Sequence, residues 1–212
     1  MDESWDGDPL ETKPLAWPSA GADLRAEDDD WWFVASIDWQ QGQWNGYVEG
    51  FRQTAKLIFD RVSATGHGQD ALVFPFLTVW RHYAEIQLKS LTLYLQAYVG
   101  KPAEMHGTHR IDELWRVARG LLQEANHVGE ADELENVQCV LLQLHDLDPT
   151  SQHFRYPVNR QGAKTLNNVN RIHIRLFHEA MEEVASFLDA AETGICDMLD
   201  TRSEYESEMD RE

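Results

Sequence analysis

The sequence predicts an all-α protein, a five-helix, largely antiparallel bundle between acidic tails. Three observations carry this. Apolar residues recur at steps of three and four through five separate stretches, the period of a helix face. No stretch alternates at period two, and there is no internal repeat. The last stripe, Val169, Ile172, Leu176, Ala180, Val184, Phe187, Ala191, Ile195 and Met198, holds for about thirty residues, long enough to span a bundle and project from it.

Taken in order, residues 1–30 carry Pro9, Pro14, Pro18 and the run Glu27 to Asp30, and read as a disordered acidic arm. Trp31-Trp32-Phe33 marks entry into the helical domain, expected over 31–200. Tyr47–Val62 is predicted as the first helix and ends at Gly66-His67-Gly68. Val73–Leu95 is the second, with Leu77, Trp80, Ala84, Leu88, Leu91 and Leu95 on one stripe and Pro75 in its first turn. His109–His127 and Ala131–Leu147 follow. Residues 148–165 form a long loop, and Asn168–Leu199 the last helix. Residues 201–212 read as an acidic tail.

The chain has 212 residues and a formal charge of −19, which is unevenly spread. Ten acids face Lys13 and Arg25 in residues 1–30, and six face Arg202 and Arg211 in 200–212. The balance argues against a large nucleic-acid footprint but leaves room for a small basic pocket. No apolar run is long enough for a membrane span, and no signal-peptide order opens the chain, so the expectation is a cytoplasmic protein away from membranes. Cys139 and Cys196 form no CxxC and are expected as small buried hydrophobes.

Four groups of residues invite a chemical reading. Arg81, Glu85 and Lys89 stand at i, i+4 and i+8, so Glu85 reaches both cations. They form either a solvated helix face or a semi-buried polar ladder that fixes how this helix meets another. In the loop, His153, Arg155 and Tyr156 precede Pro157; Phe154 and Tyr156 pin the loop while Arg155 bonds helix-end carbonyls, or Arg155 and Tyr156 present a guanidinium and a phenol to an anion. On the last helix Arg171, Arg175, His178 and Glu182 fall on one polar stripe opposite the core, either as solvated cations or as a phosphate site with an acid–base group; His173 is expected to face the core. His145, Asp146, Asp148 and His153 lie close in sequence as polar loop caps or a metal site, but no metal-ligand or cofactor motif occurs, so neither metal nor cofactor is expected.

The run Arg81-His-Tyr-Ala-Glu85-Ile-Gln-Leu-Lys89, followed by His109-Arg-Ile-Asp-Glu-Leu114-Trp, resembles the HEPN superfamily (higher eukaryotes and prokaryotes nucleotide-binding) over about residues 70–190. The resemblance implies a helical bundle that often dimerises. Many members are metal-independent ribonucleases of toxin–antitoxin or antiviral systems, and others are inactive or bind nucleotides. Their active pattern is Arg, four to six residues, then His, at the dimer interface. Arg171 and His178 match it with six residues between, and Arg61 and His67 with five. The resemblance thus implies a homodimer in which Arg171 and His178 are catalytic, with RNA as a possible partner; Arg175, Arg155, Tyr156 and His153 are the candidate binding residues read from the helix and the loop themselves. The alternative is an inactive adaptor or immunity-type protein engaging a protein partner from the same operon.

Overall fold

The computed structural model describes residues 17–18, 21, 23–25, 31–37, 43–126, 131–209 and 211. Most of the expected disordered arm lies outside them. The chain divides into two units, residues 1–39 and 40–212. In the first, Trp31–Phe33 forms a single 3-10 turn.

The second unit is an all-α bundle of five helices among the described residues: α1 (Asn45–Thr65), α2 (Gln69–Tyr98), α3 (Ile111–Glu124), α4 (Ala131–Leu147) and α5 (Ile174–Met209). The long apolar stripe of α2 makes it the centre, packed against α1, α3 and α5. Each stripe residue expected on α2 is buried, and Trp80 with Trp115 of α3 fills the middle of the core. The chain reverses between α1 and α2 within three residues. Gly66 takes a left-handed φ of 64°, and its N–H closes on the Val62 carbonyl at 2.8 Å.

Three boundaries differ from expectation. α2 starts four residues before Val73, so Pro75 is its seventh residue and not in the first turn. Without an N–H, Pro75 cannot bond the Ala71 carbonyl, a cost that the burial of Phe76, Leu77 and Trp80 offsets. α5 starts at Ile174, after an irregular segment, and runs on through Met209, so the acidic C-terminal stretch continues the helix. The bundle's last hold on it is Arg202, which donates to the Tyr98 carbonyl at 3.0 Å and lies over the Tyr98 ring at 4.8 Å. Cys139 is exposed, because Val137, Leu141 and Leu144 take the inner face of α4, and Cys196 of α5 is half-buried. No helix is long and apolar enough to cross a membrane among the described residues.

Candidate functional site

The Arg81–Glu85–Lys89 ladder is buried, as the second of its two readings has it. Four-residue spacing places Glu85 one turn from each cation, and packing against α3 and the end of α4 removes water. Arg81 Nη1 donates to Glu85 Oε2 at 2.9 Å, and Lys89 Nζ donates to Oε1 at 2.9 Å. The guanidinium also reaches across helices: Nη2 donates to the His109 carbonyl and Nε to the Asp148 carbonyl at 3.2 Å. A fourth member comes from the α2–α3 connection, where His109 Nδ1 lies 2.7 Å from Glu85 Oε1. Burial alone would raise the Glu85 pKa, but the hydrogen bonds from Lys89, His109 and Arg81 outweigh it and hold the carboxyl below its usual range. Sequence spacing shows the i, i+4 pairs but not His109, twenty-four residues away.

Asp148 ties this ladder to the connection between α4 and α5. Its Oδ1 accepts the Gln152 and His153 N–H groups at 2.8 and 3.0 Å, and His153 Nδ1–H donates to the Leu147 carbonyl at 3.1 Å. Of the two readings of the acidic and imidazole cluster here, the polar loop cap is the one with the hydrogen bonds. Phe154 is buried and pins the segment, whereas Tyr156 stays 56% exposed. Arg155 donates to the Ser151 carbonyl, within the loop itself and not at a helix end, and lies over the Tyr156 ring at 5.8 Å. Val158 and Lys164 then pair across a tight turn closed by the Asn159 side chain and by Gly162 at φ 79°. This turn folds Lys164 back beside Arg155. Both cations, His153, Tyr156 and half-exposed Phe74 line one recess of about 450 Å³.

The start of α5 corrects the expected polar stripe. His173 faces solvent, and its Nδ1 accepts the Leu176 N–H at 3.3 Å, so this histidine caps the helix and does not face the core. Arg171 therefore precedes the helix. It is exposed, at the rim of a cleft of about 610 Å³ between α4 and α5, while Arg175 is exposed beside the end of α1. His178 points inward. It stacks on Phe59 at 4.0 Å, with Trp80 and Phe76 at 5.5 and 6.1 Å, and its Nδ1 has no hydrogen-bond partner. Burial lowers its pKa against the weaker pull of Glu182 and Asp60, which favours the neutral ring. Polarity alone puts His178 outside and Leu176 in the core, and the structure reverses both. Leu176 is 60% exposed; Val184, Ala191 and Ile195 of the expected stripe are buried, and Met181, Ala185 and Leu188 join them on the buried face. Glu182, expected on the same stripe, pairs instead with Arg52 of α1 at 2.7 Å.

Comparison with known proteins returns no matching family model, no matching curated protein and no matching solved structure.

One signal went unread in the sequence. From Pro149 to His178 there is no Asp or Glu, while Arg155, Arg160, Lys164, Arg171 and Arg175 give five positive charges. All five are exposed. Counting charge by segment and not by tail finds this island in a chain of −19.

Proposed function

We propose that this chain is a HEPN-like RNA-binding protein of a prokaryotic toxin or defence system, and that it grips single-stranded RNA with the acid-free connection between α4 and α5. The recess that places Arg155 and Lys164 beside the exposed ring of Tyr156 carries the reading. Single strands are held by cations that track the phosphates and by aromatic faces on which bases stack, and a stacked base contributes about 1–3 kcal/mol. The rest of the chain is strongly acidic, which repels a duplex lying across the bundle and confines contact to this segment. Order of helices and the Arg81–Glu85–Lys89 and His109 positions support the HEPN likeness. A homodimer belongs to the same reading.

The Arg171–His178 pair is a poor support for cleavage, because His178 is enclosed by three aromatic rings. That enclosure favours a second reading, a catalytically inactive adaptor whose basic connection meets an acidic protein partner. Fluorescence anisotropy with a labelled single-stranded RNA separates the two. Arg155→Glu combined with Lys164→Glu should weaken binding at least tenfold, and Tyr156→Ala by about tenfold, with melting unchanged. No RNA binding by the wild type would leave the adaptor reading standing, and RNA binding that ignores all three substitutions would remove this connection as the binding site.

A further inference from the structure

We propose that the projecting end of α5 is a docking surface for a basic amphipathic helix of another protein. The spacing of the helix carries the first observation. From Leu188, alternating steps of three and four run unbroken through Ala191, Ile195, Met198, Arg202, Tyr205 and Met209, the heptad pattern of a helix–helix seam. The bundle uses only the first part of it. Leu188, Ala191 and Ile195 are buried, whereas Met198 is 39%, Tyr205 65% and Met209 78% exposed. The seam therefore continues past the end of α2, where Tyr98 lines with Met198, Tyr205 and Met209 a hollow of about 670 Å³. A tail that merely solvates the protein needs no apolar residues in register with the core.

Charge selects what covers this seam. Between Asp197 and Met209 five acids stand against Arg202 alone, and Arg202 is held on the Tyr98 carbonyl and ring. Asp200, Glu204 and Glu208 repeat one turn apart, and the last turn of the helix has no basic residue. Both features weaken a free helix, because like charges at that spacing repel and the C-terminal end of the dipole favours cations. A cationic partner relieves both. Glu206 and Glu208 occupy the heptad positions that flank Tyr205 and Met209, where charge decides which helix pairs with which. A second copy joined along this seam would set acid against acid. The fit is to a helix with lysine or arginine on its flanks and apolar anchors at steps of three and four. This surface is independent of the RNA-binding reading: at about 1.5 Å per residue, the 36-residue α5 puts Met209 roughly 50 Å from Arg175.

The test uses the full chain and a fluorescein-labelled synthetic helix about three heptads long, with leucine in the seam and lysine on the flanks, followed by anisotropy. Tyr205→Ser combined with Met209→Ser leaves the net charge at −19, and should weaken binding by about tenfold or more with melting unchanged. A counterpart peptide with glutamate flanks should not bind the wild type, and should bind Glu206→Lys combined with Glu208→Lys in place of the lysine peptide. A wild type that ignores the lysine peptide would overturn the proposal. So would binding that the two serines leave unchanged, since attraction would then follow net charge and not the seam. Sedimentation showing a wild-type oligomer that the same two serines dissociate would make a second copy the occupant, and would overturn it as well.

Discussion

Replacing Glu85 by alanine should destabilise the bundle by about 3 kcal/mol, and the structure says which partner generates that cost. Lys89 and His109 reach solvent by small rotations, since their side chains are 13% and 67% exposed. Arg81 cannot, because it is 1% exposed. Breaking a buried pair from one side costs about 3–5 kcal/mol, mostly the stranded charge. Arg81 keeps the Asp148 carboxylate at 3.6 Å and two carbonyls, which places the loss at the lower end. In a chain of this size about 3 kcal/mol lowers Tm by roughly 6–12 °C, and urea unfolding measures it directly. The pH dependence has a definite sign. The folded pKa of Glu85 is depressed, so its contribution is complete above the ordinary carboxylate pKa and is lost as pH falls through the lower folded value. Wild type and Glu85→Ala should therefore converge in strong acid. A loss below about 0.5 kcal/mol at neutral pH would mean that Arg81 is not held as described and that the ladder behaves as a surface pair.

Other parts of the bundle give independent checks. Glu192 is half-buried in the α2–α5 seam, bonded by Gln87 and Ser90, and burial pushes its pKa up to about 7. A raised folded pKa means stability is lost as pH rises through about 7, so Glu192→Gln should stabilise the protein by roughly 2 kcal/mol at pH 8. The gain should shrink toward pH 5; a constant gain across that range in urea unfolding would exclude titration of Glu192 as the cause. Pro75→Ala should restore the bond to the Ala71 carbonyl and raise stability by about 1–3 kcal/mol, read from the thermal midpoint. An unchanged midpoint would mean that the helix has already bent to relieve the proline.

The fold was legible because long stripes constrain the chain strongly. Leu77 through Leu95 named the core face of α2, and α4 ends where Asp148-Pro149 says it should. Phase was harder at the start of α5, where a histidine packs among Phe59, Phe76 and Trp80 and a leucine sits outside; polarity alone mislabels both. The ladder's burial depended on α3 and the α4 end closing over it, which no local pattern encodes. His109 joins it through a tertiary contact, and the Arg155–Lys164 recess exists only because the Asn159–Gly162 turn folds the segment back. The acid-free stretch needed no structure to be seen, only a count by segment.

The salt dependence of RNA binding tests the central claim most directly. Five exposed cations on a segment without acids, each neutralising one phosphate of a single strand, give a slope of log K against log salt of about −3.5. Reversing Arg155 and Lys164 should flatten that slope by at least 1.4, about 0.7 for each lost contact. A wild-type slope near zero, or one that these two reversals leave unchanged, would contradict the account.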